Sequence, residues 1–357
     1  MTIRELFRAE SLPVFQNRMF PSAAEACQCA KGDMVLVRNM DTGLVFNQAF
    51  RPELMQYDAD YQNEQAVSSV FRAHLDEVTK IIGRHFQGQT LIEVGCGKGY
   101  FLEHLNAQGF PITGLDPTYE GKSLNIIKAY FTPEIGLCAE GIVLRHVLEH
   151  IQNPVDFLRD IRDANGGKGR IYIEVPCFDW ICDHRAWFDV FYEHVNYFRL
   201  ADFHRIFAGV QEAGNIFGGQ YLYVVADLAT IRQPKLNADD GFVFPPDFLK
   251  TVTDYARMIN SSTKGRCAVW GGASKGLIFA LYMQKAGVSI TDVIDINPAK
   301  QGKYLGGTGL VVSSPTEALA GLKKGSDIFV MNGNYLPEIR QMAGNSFNYL
   351  TVDHEQL

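Results

Sequence analysis

Apolar residues recur at three- and four-residue steps from about Gln65 onward. Val67, Val70, Phe71, Leu75, Val78, Ile81 and Ile82 fall on one stripe, which predicts an amphipathic helix. The spacing then changes. Thr90–Val94, Ile112–Leu115, Gly141–Leu144 and Arg170–Val175 are short apolar runs bounded by Gly, Asp or Pro, with helical stretches at Leu102–Leu105 and Val155–Ile161. This alternation predicts a parallel sheet covered on both faces. Upstream, Met34–Val37 and Gly43–Phe46 are brief runs separated by turn residues and predict a small, mostly extended module. Downstream, a polar, proline-bearing stretch (Arg232 to Pro246) precedes a helix (Pro246–Ile259). A second α/β unit follows, with strands Cys267–Trp270, Asp292–Ile294 and Asp327–Met331 and a helix over Lys275–Ala286. The predicted class is α/β: a small module over 1–60, an α/β domain over 61–231 and a second over 232–357.

Composition narrows the function classes. Of 357 residues, 46% are hydrophobic and 20% charged, which argues against extensive disorder. The net charge of −7, from 33 basic and 40 acidic residues, argues against a general nucleic-acid binder. The longest apolar stretch, Cys267 to Met283, is broken by Lys275, so no membrane span is expected. The mixed-charge start, MTIRELFRAE, does not read as a secretory signal. Seven unpatterned cysteines then fit reduced thiols and a cytoplasmic location.

The strongest local signal is Glu93-Val94-Gly95-Cys96-Gly97-Lys98-Gly99. A buried strand carrying an acid near its tip runs into three alternating glycines and a helix. Gly95, Gly97 and Gly99 permit positive φ and close backbone approach to a ligand. A dinucleotide site is the competing reading. However, the spacing is G-x-G-x-G, and Glu93 would crowd a pyrophosphate while suiting a cationic amino acid moiety. Asp116, followed by Pro117, ends the next strand, where a carboxylate accepts ribose hydroxyls.

Two histidine–acid clusters follow strands of the same sheet. Arg145-His146-Val147-Leu148-Glu149-His150 comes after the fourth strand, and Phe191-Tyr192-Glu193-His194-Val195-Asn196-Tyr197 after the fifth. Ligands of parallel sheets sit at the carboxyl ends of the strands, so both clusters are expected to face one site. A histidine beside an acid and two phenols has the parts for proton transfer. For His150 a catalytic and a packing role weigh evenly; His146 reads as packing on the cofactor side.

The loop with Asp116 resembles that of class I S-adenosylmethionine-dependent methyltransferases, whose domain is Rossmann-like. Together with Tyr57-Asp58-Ala59-Asp60-Tyr61, Phe217-Gly218-Gly219-Gln220-Tyr221 and the C-terminal unit, the clusters resemble the three-domain sugar C-methyltransferases. The resemblance implies that Glu93 and the Gly95–Gly99 loop, Cys96 included, hold the methionine part of the cofactor, and Asp116 with Pro117 the ribose. It also implies that His194 is the base, with Glu193, Tyr192 or Tyr197 orienting it and His150 assisting. The family's usual tyrosine falls on Phe191, with Tyr192 adjacent. The family's N-terminal zinc site is built from two Cys pairs. Here Cys27 and Cys29 stand alone, and Asn39 and Thr42 occupy the other positions. No metal is therefore expected, because structural zinc needs four ligands.

The C-terminal unit carries a second glycine turn, Gly271-Gly272-Ala273-Ser274-Lys275, with Asp295-Ile296-Asn297-Pro298-Ala299-Lys300 and Gly333-Asn334-Tyr335 at later strand ends. The resemblance implies that a nucleotide sugar binds there, with Tyr61, Lys275, Asn297, Lys300 and Asn334 in contact. The expected activity is C-methylation of a nucleotide-linked 4-keto-deoxysugar. The alternatives are O- or N-methylation of another small metabolite, and a non-catalytic cofactor- or nucleotide-sugar-binding protein.

Overall fold

The computed structural model of the chain describes residues 2–55, 64–262 and 266–353. Tyr61 and the segment around it lie outside the described residues.

The predicted stripe forms the helix Ser69–Phe86. Ser68 caps it, its hydroxyl accepting from the N–H groups of Val70 and Phe71. Phe71, Leu75, Val78, Ile81, Ile82 and Phe86 are buried from it against the main sheet. That sheet has seven strands. From one edge they are Val210–Ile216, Tyr221–Asp227, Arg170–Pro176, Gly141–Arg145, Leu91–Val94, Ile112–Leu115 and Ile126–Ile127. The sheet is not parallel throughout as predicted: two of its six pairings are antiparallel, because Tyr221–Asp227 runs antiparallel to both of its neighbours, while the other four pairings are parallel. The reversal follows from the turn at Phe217, Gly218 and Gly219, all at positive φ, which folds the chain directly back as a hairpin.

The N-terminal residues form an antiparallel sheet ordered Ile3–Pro13, Lys31–Asn39, Val45–Asn47, Asn196–Tyr197. Its last strand comes from the segment just after His194, so this sheet is joined by hydrogen bonds to the loop that carries the second cluster. The Asn39 side chain is used in a turn, its Oδ1 accepting from the N–H groups of Asp41 and Thr42. Thr42 Oγ1 in turn accepts from Leu44 N–H.

A third sheet of five parallel strands contains Val312–Ser313, Asp292–Ile294, Cys267–Trp270, Asp327–Val330 and Asn348–Thr351. A short antiparallel pair, Tyr304–Leu305 with Met19–Phe20, ties it to the N-terminal residues. Ser68 and Ser69 donate to Glu338, on the helix Leu336–Ala343, and tie that helix to the start of Ser69–Phe86. Among the described residues no helix is long and apolar enough to cross a membrane.

Candidate active site

The strand Leu91–Val94 is central in its sheet, and the turn leaving its carboxyl end carries Gly95, Gly97 and Gly99 at φ of 72°, 55° and 81°. Gly95 has a second reason to be glycine: a Cβ there would sit 2.5 Å from Val147 Cγ2. Gly97 N–H donates to Asp116 Oδ2 at 2.8 Å. Asp116 Oδ1 accepts from the Thr118 N–H at 2.8 Å and its hydroxyl at 2.7 Å. Asp116 is buried and Pro117 half-buried. Neither is among the residues that line the main cavity, although Asp116 anchors Gly97, which does. Cys96 lines the cavity with its thiol turned toward Gly114, and burial pushes that thiol up.

Glu93 is buried beneath this turn, and its Oε2 has no hydrogen-bond partner among the described residues. Burial, opposed by Arg145 and reinforced by Asp116, pushes its carboxyl up to about 7. The N–H groups of Gly95, Gly97 and Gly99 are spent within the turn, on the Leu115 carbonyl, Asp116 Oδ2 and the Cys96 carbonyl, and the orphaned carboxylate beneath them fits the ammonium end of an amino acid ligand.

The cavity measures about 380 Å³ and is bounded by both glycine turns. Gly95, Cys96 and Gly97 line one side; Gly271, Ala273 and Ser274 line the other, with His146, His150, Phe191 and His194 between them. The sheet edge therefore brings the two histidine clusters together as expected. The His150 and His194 rings are 5.0 Å apart and nearly perpendicular. His150 Nδ1 lies 2.9 Å from the Glu193 carbonyl, and a carbonyl only accepts, so that nitrogen carries the proton. The His194 ring makes no hydrogen bond among the described residues. Burial, with His150, His146 and Lys275 nearby, holds it well below the usual imidazole range, so it is neutral at pH 7.

The expected partners of His194 are placed elsewhere. The Glu193 carboxylate accepts from the backbone N–H groups of Gln16 and Asn17, pinning the N-terminal segment to the site; no hydrogen bond joins it to His194. Tyr192 is fully buried in the N-terminal packing: its ring lies against Gly32 and Phe50, and its hydroxyl accepts from Arg51 N–H at 2.8 Å. Tyr197 accepts from Phe191 N–H at 3.0 Å and donates to the Phe191 carbonyl at 3.2 Å, bracing the loop from outside the cavity. Both phenols are therefore structural. Each is spent on backbone groups that would otherwise be buried without partners.

The carboxylate beside the imidazoles is Glu149. It is buried, lines the cavity, and has donor atoms within 4.8 Å of both His150 and His194. Its Oε2 is without a partner among the described residues, while His146 Nδ1 stands 3.4 Å from Oε1. His146, at φ 51°, also reaches Glu174 Oε1 at 3.0 Å. Burial disfavours its charge, but Glu149 and Glu174 outweigh this and push it up to about 9. Glu174 is a hub, accepting from Tyr172 at 2.7 Å, His74 at 2.9 Å and Arg145 at 3.1 Å. The sequence carried a signal for Glu149, which sits in the first cluster, but none for Glu174, an acid inside an apolar strand.

On the far wall, Gly272 N–H donates to Asp295 Oδ2 at 2.9 Å and Asn297 N–H to Asp295 Oδ1 at 2.8 Å. Lys300 lies 3.3 Å from Asp295 Oδ2. Lys275 lines the cavity, pairs with Asp189 at 3.0 Å, donates to Gln220 at 3.0 Å and sits over the Trp180 ring at 5.0 Å. Asn297 lines the cavity, its Nδ2 donating to the Glu64 carbonyl at 3.4 Å. Asn334 does not line it: its Nδ2 donates to the Phe217 carbonyl at 2.9 Å, stitching the hairpin turn to the third sheet.

Residues 66–212 match a family described as "Methyltransferase domain". Solved structures resemble the same part of the chain. An S-adenosylmethionine-dependent methyltransferase from Archaeoglobus fulgidus is 15% identical over 45% of this chain and 100% of its own, with a TM-score of 0.33. The N-methyltransferase NodS from Bradyrhizobium japonicum is 14% identical over 45% and 97%, at 0.32. The plantazolicin methyltransferase BpumL is 14% identical over 46% and 86%, at 0.34. No curated protein matches the chain. Residues 66–212 therefore match a methyltransferase domain, on a mixed α/β fold built around parallel strands.

Proposed function

We propose that the chain is a C-methyltransferase whose acceptor is a nucleotide-linked 4-keto-deoxysugar, bound between the two glycine turns. One observation carries this reading: a neutral, unbonded imidazole, His194, faces a cavity walled by the methyl-donor loop on one side and a second Rossmann-like turn on the other. When bound, S-adenosylmethionine supplies a methyl group already activated on a positively charged sulfur. Glu93, beneath the Gly95–Gly99 turn, would hold its amino acid end, and Asp116 its ribose.

His194 takes a proton from the carbon beside the ketone, leaving an enolate as the nucleophile. A neutral imidazole is ready to accept that proton at pH 7. The imidazolium so formed is offset by the buried Glu149, which has an oxygen to spare. Glu149 thus takes the supporting part first expected of Glu193. His150, held in one tautomer by the Glu193 carbonyl, lines the same wall. The far turn, with Lys300 and Lys275, supports the nucleotide's phosphates. The three larger sheets support dividing the chain near residues 60 and 231, with Asn196–Tyr197 crossing into the first of them and the last unit as the nucleotide-sugar domain.

The test is proton exchange and turnover with nucleotide-linked keto sugars, followed by mass spectrometry. Wild type in deuterium oxide should incorporate label at the carbon beside the ketone and methylate the same carbon. His194→Ala should lose about 10²- to 10⁴-fold in turnover while binding S-adenosylhomocysteine normally. Methylation of an oxygen or nitrogen, or full turnover by His194→Ala, would sink the proposal.

A further inference from the structure

We propose that Glu149, His150 and His194 form a binding site for one divalent transition-metal cation of the zinc type, and that this cation and the deprotonation step exclude one another. The second half rests on the reading of His194 as base; the first does not.

The donor set is two imidazole nitrogens and one carboxylate oxygen, a combination that suits zinc, cobalt and nickel better than magnesium or calcium. The three donors already lie within 4.8 Å of one another. Ligands of tetrahedral zinc stand roughly 3.4 Å apart, given bond lengths near 2.1 Å, so the remaining closure is within reach of side-chain rotation.

Each member is prepared for ligation in a different way. Glu149 is buried with Oε2 unpartnered among the described residues; His146 occupies only Oε1. A buried carboxylate oxygen without a donor is costly, and a cation removes that cost. His150 gives its Nδ1 proton to the Glu193 carbonyl, the outer hydrogen bond that metal-binding histidines use to fix their tautomer. The His194 ring makes no hydrogen bond among the described residues and faces the same cavity.

The backbone holds the donors in place. Val195 N–H donates to the Glu149 carbonyl at 2.8 Å. Asn196 Nδ2 donates to the Ile151 carbonyl at 2.5 Å. These bonds clamp the two loops on either side of the donors. The cavity supplies room for a fourth, water ligand. The lone pair that His194 offers to a metal is the one that would take the proton, so a loaded site has no base.

The experiment is a cobalt titration of the full-length chain, freed of metal with a chelator. Visible absorption should saturate at one cobalt per chain and be competed away by zinc. Glu149→Gln should weaken binding at least about tenfold, and His194→Ala should abolish the band. A Cys27→Ser, Cys29→Ser double variant should keep it. S-adenosylhomocysteine binding by each variant shows that it is folded. In parallel, methyl transfer should be full with chelator present and fall as zinc occupancy rises. No band, or a band lost with the two cysteines but kept in Glu149→Gln, overturns the metal site. Turnover that rises with zinc overturns the exclusion. If the band behaves as expected but no keto sugar turns over, the acceptor reading has failed and the metal site stands.

Discussion

The turn after Leu91–Val94 and the turn after Cys267–Trp270 use one backbone device. In each, a turn N–H donates to the acid ending the neighbouring strand, and that acid also accepts from the N–H two residues ahead of it. The pairs are Gly97 and Thr118 on Asp116, and Gly272 and Asn297 on Asp295. The charge around them differs. Two residues before Gly95 stands Glu93, buried and with Oε2 unpartnered among the described residues; two residues before Gly271 stands Val269, buried and apolar. Asp116 has no ion pair among the described residues, whereas Lys300 neutralises Asp295. The first turn therefore overlies two acids without an ion pair among the described residues, an arrangement that suits a cationic ligand. The second has an apolar Val269 in place of the acid, and a lysine beside Asp295. Backbone geometry makes a nucleotide-sized niche; the side chains beneath it decide the sign of what enters.

The comparison breaks most sharply at the glycines. Gly95 sits at φ 72° with Val147 2.5 Å from any Cβ. Gly95→Ala should combine backbone strain with a clash, about 3 kcal/mol together, and weaken S-adenosylhomocysteine roughly 100-fold in calorimetry. Gly272 is not at positive φ, and its Cβ would meet Val312 at 3.0 Å and Asp295 at 3.1 Å. Gly272→Ala should leave cofactor affinity within about threefold. Equal losses in the two variants would mean that the turns are not functionally distinct. The acids give a smaller contrast. Asp116→Asn removes charge-assisted bonds to the ligand and should cost about tenfold to 100-fold in cofactor affinity. Asp295→Asn should leave cofactor affinity unchanged and alter only binding of a phosphate-bearing acceptor.

Much of this was legible because it is local. The runs at Ile112–Leu115, Cys267–Trp270 and Asp292–Ile294 are strands with those bounds, and both glycine turns lie where a strand gives way to a helix. The acids at 116 and 295 could be read because strand ends in a parallel sheet share one edge. Tyr192, Tyr197 and Glu193 were placed in the site because they are neighbours of His194 in sequence. On an irregular loop, adjacent side chains diverge: Tyr192 enters the N-terminal packing, Glu193 reaches Gln16, and only Phe191 and His194 reach the cavity together with Glu193's edge. Glu149 and Glu174 acquire their importance from burial without, or with many, donors. Sequence spacing does not encode that.

The finest test of the comparison is pH, because Val269 cannot titrate and Glu93 can. Burial raises the Glu93 carboxyl to about 7 in the free protein. A carboxyl raised in the fold contributes stability that is fully present below its ordinary value of 4.5 and is lost as pH rises through about 7. The cofactor's ammonium reverses that preference, since it is attracted only to the ionised form. Cofactor binding should therefore release a proton and tighten as pH rises from 5 to 7.5, by at most about tenfold per unit for one proton. His146, pushed up to about 9, keeps its charge across this window, and His194 stays neutral through its upper part, so neither accounts for a rise near 7. The measurement is the increase in melting temperature given by S-adenosylhomocysteine at each pH, in wild type and Glu93→Gln. The increase should grow with pH in wild type and be flat in the variant. A wild-type profile as flat as the variant's would mean that Glu93 is not the group meeting the ammonium, and that the first turn's selectivity comes from Asp116 alone.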